Sequence, residues 1–251
     1  MVGSSRTSSD DDAGPPYRRV VLKVTGESFA PVGTIGLDLG YLDQLAEKIV
    51  SAARMGVQIA VVVGGGNLMR GANLAGSKLV RPVAAHQMGM IATVINGSAL
   101  AEALHAKGQA AVLTCSMPVG NFTQYYCPQR AQDDLEAGRI VILTGGTGNA
   151  FVTTDTCAAI RAAELQADAL LKATKVDGVY TADPVKHPDA KRYERLTAAE
   201  AIEKNLGVMD LPAVAICRQA RVPILVFNYQ ENDSIAGVLA GRVKATQITA
   251  Q

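Results

Sequence analysis

Six short, uninterrupted apolar runs, separated by segments with helical spacing, constrain this chain more than any other feature. They read RRVVLKV from Arg18, VQIAVVV from Val57, AAVLT from Ala110, RIVILT from Arg139, DALLKA from Asp168 and PILVFN from Pro223. A strand that is apolar at nearly every position, and not at alternate ones, has both faces covered, as in a parallel sheet with helices on each side. Between the runs, Leu42, Leu45, Ala46, Ile49 and Ala53 fall on one stripe of a helix over Tyr41–Met55. Residues 86–106, 154–166, 197–204 and 210–220 also carry helical patterns. Strand and helix in alternation give right-handed βαβ units. The expectation is an α/β fold, a three-layer αβα sandwich around a central, mainly parallel sheet.

Composition removes several functional classes. The charge sum is +24 − 23 = +1 over 251 residues, so no global basic field points to nucleic acid or an anionic membrane. There is no Trp, and aromatics are 4%, which argues against stacking platforms for single-stranded nucleic acid. No apolar run reaches the ~18–20 residues of a membrane helix. Cys115, Cys127, Cys157 and Cys217 form no CxxC pair, and His86, His105 and His187 show no zinc-type spacing, so no protein-held metal is expected. Four scattered cysteines read as reduced residues of a cytosolic protein. Residues 1–16, MVGSSRTSSDDDAGPP, offer almost nothing to bury and read as a disordered tail; Asp10, Asp11 and Asp12 argue against a transit peptide. Residues 17–251 show no repeat and no clear linker, and read as one domain with two functional halves.

In an open α/β sheet, ligands bind beyond the carboxyl ends of the strands. Four segments lie there: KVTGES from Lys23, GGGNLMRG from Gly64, GGTGNAFVTTDT from Gly145 and KATKVDGVYTADP from Lys172. Glycines let backbone N–H groups approach a phosphate with no Cβ in the way. Three consecutive glycines before an expected helix suggest an anion nest, and Arg70 supplies a cationic fork suited to a phosphate. Each loop taken singly also reads as an ordinary tight turn; four on one sheet edge favour a ligand.

Lys23, at the end of an apolar strand, can neutralise charge on a phosphoryl group in transfer, or simply reach solvent. Asp155 opens a helix, where it reads as an N-cap that could also orient Lys23. Asp177 and Asp183 sit at Asp-Gly and Asp-Pro steps, where they also read as turn caps. Two nucleotide signatures are missing: no GxxxxGK[ST] occurs, and no GxGxxG opens a helix after the first strand. Phosphoryl transfer on another architecture is the reading that remains.

KVTGES at Lys23, GGGNLMRGA at Gly64, TGGTGNAFVTTD at Thr144, LKATKVDGVYTADP at Leu171 and VMDL at Val208 follow one another in that order. Together they resemble the bacterial UMP kinases of the amino acid kinase family, from about Tyr17 to Thr249. The resemblance implies a homohexamer that transfers the γ-phosphoryl group of ATP to UMP with Mg²⁺, with GTP and UTP as effectors. It implies that the N-terminal half binds the UMP phosphate and the C-terminal half binds ATP. Lys23, Val24, Thr25 and Gly26 match the phosphate-contacting segment, and Gly66 and Arg70 match further contacts to ATP phosphates. Thr174, Tyr180 and Asp183 match the adenosine site. Gly65 matches a UMP contact, and Thr147, Gly148, Asn149, Ala150, Phe151, Val152, Thr153 and Thr154 match the UMP loop. Asp155 matches the aspartate that orients the catalytic cation, and Asp210 aligns with another active-site aspartate. Three positions depart from the pattern: Thr25 stands for a serine, Ala150 for a proline, and His86 for an aspartate that contacts the UMP ribose. The segment Pro118–Arg130 is also unlike the family. A sibling carboxylate or amino acid kinase, and a nucleotide sensor or anion-storage protein on the same fold, are the rival readings.

Overall fold

Parallel pairing around one central strand organises the molecule. The computed structural model describes residues 16–69, 78–182, 184, 186–207 and 209–251; the expected tail therefore lies almost wholly outside the described residues. Strand β1 (Arg19–Val24) is flanked by β2 (Gln58–Val63) and β6 (Ala169–Thr174), both parallel to it. Adding β3 (Ala111–Cys115), β4 (Gln124–Tyr125), β5 (Ile140–Thr144), β9 (Arg195–Thr197), β10 (Ile224–Asn228) and β11 (Ala245–Thr249) gives the order β4-β3-β5-β2-β1-β6-β10-β11-β9. Among the described residues, only the β10–β11 pairing in this sheet is antiparallel. A separate hairpin pairs β7 (Val179–Tyr180) with β8 (Arg192–Tyr193).

Side chains alternate across β1, and the two buried clusters follow that alternation. Val20, Leu22 and Val24 face helices α1 (Leu39–Ala53), α2 (Pro82–Ala106) and α7 (Ser234–Leu239). Val21 faces α3 (Pro128–Glu136), α4 (Thr154–Glu164), α5 (Ala198–Glu203) and α6 (Leu211–Ala220). These are the three layers expected from the continuous apolar runs.

The differences are local and have plain causes. Helix α2 begins at Pro82, four residues before the expected start, because a proline at the first position sacrifices no intrahelical bond. Strand β11 was not anticipated: its ATQIT alternates half-buried and buried positions, so it lacks a continuous apolar run. Hairpin β7–β8, β4 and β9 span two or three residues each, too few for a period to show. The glycine run at Gly64 leads into a turn, with Leu68 N and Met69 N both donating to Gly65 O, and not directly into a helix.

Candidate active site

The register of β1 on β6 sets Lys23 directly beside Lys172. Both side chains leave the sheet on the same face, and both end on one carboxylate. Lys23 Nζ lies 2.8 Å from Asp155 Oδ1, and Lys172 Nζ lies 2.6 Å from Asp155 Oδ2. All three side chains are at most 15% exposed. Burial by itself raises the Asp155 carboxyl, but the two ammonium groups outweigh it and hold the group below the usual carboxylate range. Burial pushes the Lys172 ammonium down, Asp155 pulls it back up, and the like charge of Lys23 pushes it down again. The result is a fixed pair of cations bridged by one carboxylate, with the Asp210 carboxylate adding a weaker pull on Lys172.

Local structure aims Asp155 at the lysines. The helix cap of α4 is Thr153 and not Asp155: its Oγ1 accepts from Asp155 N at 3.1 Å and from Thr156 N at 3.1 Å. With the cap supplied by a neighbour, the Asp155 side chain is free to bridge the lysines, and the helix N-terminus favours its charge. Asp210 locks this end of α4 to α6. It accepts from the Thr153 and Thr156 hydroxyls, and it caps α6 by accepting from Ala213 N at 3.0 Å. Asp210 thus spends its oxygens on protein donors, whereas Asp155 accepts a hydrogen bond from Lys172 at Oδ2 and holds Oδ1 in an ion pair with Lys23 that lacks hydrogen-bond geometry.

The glycine loops close on this centre with little room to spare. A Cβ on Gly26 would lie 2.4 Å from Asn67 N, and one on Gly145 would lie 2.6 Å from Cys115 Sγ at a φ of +74°. Gly66 is different: a Cβ there meets nothing within 4 Å, so its missing side chain leaves a cradle open beside the site. A reciprocal amide pair holds the loop, with Asn96 Nδ2 donating to Asn67 Oδ1 at 2.6 Å and to Gly64 O at 2.8 Å. Val24 contributes only backbone here, its carbonyl accepting from Gly64 N at 3.0 Å while its side chain enters the core on the other face.

Two clefts flank the centre. A smaller one, about 160 Å³, is lined by Gly65, Gly66, His86, Val152 and Thr154. At its mouth the His86 ring meets the Phe151 ring, centroids 4.6 Å apart and tilted by 56°. Phe151 holds a φ of +66° and is 66% exposed, a strained, water-facing position for an aromatic. Thr147, Gly148, Asn149 and Ala150 form the loop before it, where Thr147 Oγ1 accepts from Asn149 N at 3.3 Å. A larger cleft, about 530 Å³, opens beyond β6 and is lined by Thr174, Tyr180 and the segment 204–207. There Tyr180 donates to Asp177 Oδ1 at 2.6 Å, which raises the phenol, and Gly178 admits no Cβ because Thr246 Oγ1 would lie 2.3 Å away. Thr25 begins the 3-10 turn Gly26–Ser28. Arg70 and Asp183 lie outside the described residues.

Sequence reasoning brought Lys23, Asp155 and Asp210 to one place, but it missed Lys172. The signal was a second lysine at a strand end next to a glycine loop; its meaning depends on strand register.

The family model for the amino acid kinase family matches residues 18–228. A curated relative from Psychrobacter sp. (strain PRwf-1), named uridylate kinase, is 44% identical over 237 residues, covering 94% of this chain and 98% of the relative. A uridylate kinase from Rhodopseudomonas palustris (strain HaA2) is 47% identical over 234 residues, covering 93% and 98%. Among solved structures, a UMP kinase from Bacillus anthracis superposes with a TM-score of 0.90 at 33% identity, covering 94% of this chain and 97% of that one.

Proposed function

The chain belongs to the amino acid kinase family, and on that premise we propose that it transfers the γ-phosphoryl group of ATP to UMP, giving ADP and UDP. The observation that carries the reading is the Lys23–Asp155–Lys172 bridge at the strand ends. Phosphoryl transfer needs positioning and charge neutralisation more than covalent chemistry. The two ammonium groups stabilise the negative charge on the phosphoryl oxygens in flight, and Asp155 holds them in place. UMP occupies the smaller cleft, with its phosphate on Gly65 and its base along 147–154; ATP places adenosine in the larger cleft, with Thr174 and Tyr180, and its phosphates on Thr25, Gly26 and Gly66. Arg70 and Asp183 keep their places in this assignment as further contacts to the ATP phosphates and the adenosine. Mg²⁺ would enter with ATP, held chiefly by nucleotide phosphates and waters, the usual habit of Mg²⁺. When bound, the ion would add charge neutralisation to that supplied by the two lysines.

An assay of ADP release with UMP, CMP and dTMP tests this. A site that hydrogen-bonds one base edge rejects a mispaired analogue by about 10⁴-fold. ADP release with UMP separates turnover from a nucleotide sensor or an anion-storage shell, and a carboxylate panel excludes the sibling kinases. Comparable kcat/KM for CMP removes the claim of uracil specificity.

His86 is the residue to test for UMP affinity. A carboxylate accepts from two ribose hydroxyls at once, whereas a neutral imidazole offers a single acceptor. The hydrogen bond lost to a charged partner is worth about 10-fold or more in affinity. His86→Asp is therefore expected to lower the UMP KM about tenfold at pH 8, with a smaller gain or a loss at pH 6; an unchanged KM at both pH values assigns His86 to packing on Phe151 alone.

The assembly is a cytosolic homohexamer, with GTP and UTP as effectors. Its support is the outer face of α2, where Met88, Ile91 and Ile95 stand 38%, 53% and 50% exposed at helical spacing, an apolar stripe of the kind that oligomer contacts cover. The four cysteines, all free thiols, suit a reducing compartment. Light scattering checks the assembly, and a stable 26.2 kDa monomer at micromolar concentration excludes it.

A further inference from the structure

Val24 and Ala173 follow Lys23 and Lys172 by one residue in adjacent strands, so their side chains leave the sheet on its opposite face. There a cavity of about 210 Å³ opens between α1, the turn Gly26–Ser28 and the segment joining β10 to α7. Val24 and Ala173 form part of its apolar wall, and Ser28, Tyr41, Lys48 and Gln230 supply polar lining.

Three observations mark it as a ligand site. The Ser28 side chain is 2% exposed, and its hydroxyl meets only the Tyr229 phenol, in a contact short of full hydrogen-bond geometry; a buried polar atom held this loosely costs free energy until something satisfies it. Lys48 Nζ donates to Tyr229 O at 2.6 Å, which uses one of its three N–H groups, and burial lowers its ammonium from the ordinary lysine range. No Asp or Glu lines the cavity; the nearby Glu27 carboxylate is paired with Lys175 at 2.6 Å.

We propose that this cavity binds a small monocarboxylate with a short apolar body, as a second ligand site behind the lysine pair. One ammonium matches one negative charge, which favours a carboxylate over a phosphate dianion. The hydroxyls and amide supply donors for its oxygens, and the apolar wall takes its hydrocarbon end. Such a ligand presses on the turn after Lys23 from behind, so it reaches the transfer site without competing with either nucleotide. Its binding is measured without turnover, so the outcome is independent of the UMP kinase reading.

The test is ligand-observed NMR titration of the full chain with butyrate, with butylamine as the control of similar size and opposite charge. Butyrate is expected to bind with a Kd on the order of 1–10 mM, as befits a six-atom ligand, and butylamine at least about tenfold more weakly. Lys48→Met weakens butyrate at least about tenfold, whereas Lys48→Arg, which keeps the charge, stays within about threefold of the parent. Ser28→Ala, a smaller change that spares Lys48, weakens binding about threefold. Lys23→Met leaves it unchanged. Equal binding of butylamine, or full butyrate affinity in both Lys48→Met and Ser28→Ala, overturns the proposal. So does loss of butyrate in Lys23→Met, which would seat the anion at the transfer site instead.

Discussion

Lys23→Met is expected to lower kcat by about 10²–10³-fold or more while the protein stays folded, the scale of losing one preorganised transition-state contact. The fold survives because Lys172 remains 2.6 Å from Asp155, so no buried charge is left alone. Methionine also fills much of the space of the lysine stem in a strand buried at every position. Steady-state kinetics with MgATP and UMP, alongside a thermal melt, checks both halves of the claim. Near-normal kcat in a folded variant removes Lys23 from the transfer step.

Asp155→Asn has the opposite profile, because it strikes stability as well as rate. The substitution leaves two buried ammonium groups side by side without the carboxylate that bridges them. Breaking a buried pair from one side costs about 3–5 kcal/mol, and here two cations share the lost partner. The pH dependence carries a sign. The folded Asp155 carboxyl lies below its unfolded value, so its contribution is fully present above a pH of about 4 and is lost as pH falls through the depressed folded value. Denaturant melts from pH 7 downward should therefore show the variant and parent far apart at neutral pH and converging in acid. A variant as stable as the parent at pH 7 contradicts the bridging role. Asp155→Glu, which keeps the charge on a longer stem, should recover part of the stability but little of the rate, since the lysines are no longer held at 2.6–2.8 Å.

These effects rest on a centre that was half legible in advance. Continuous Val- and Ile-rich runs specify strands covered on both faces, because a strand apolar on each side has nowhere else to go; β1, β2, β5, β6 and β10 form accordingly. Gly26 and Gly145 were legible for a related reason: neighbouring atoms, backbone at Gly26 and the Cys115 and Ser116 side chains at Gly145, pack where a Cβ would lie. Lys23 stood out because a charged residue rarely ends a buried run without a partner, whereas Asp155 also read as an ordinary helix cap.

The remainder depends on distances that no local pattern encodes. Lys172 reads as one more strand-end lysine until β6 pairs with β1 in the register that sets it beside Lys23. A shift of one residue would turn it to the other face. Whether Asp155 caps its helix or bridges two lysines was decided by Thr153 taking the cap, with its hydroxyl donating in turn to Asp210 from α6. The tilted ring contact of His86 with Phe151 joins α2 to the loop before α4, across a gap of 65 residues in sequence. The cavity behind the lysine pair joins Lys48 to Tyr229, and the turn after β1 to the segment after β10. Period, propensity and steric exclusion act over a few neighbouring residues, so the sequence by itself determined the layers and the glycine turns. Which charges meet, and what lies behind them, is set by strand order and register, and these exist only once the sheet has formed.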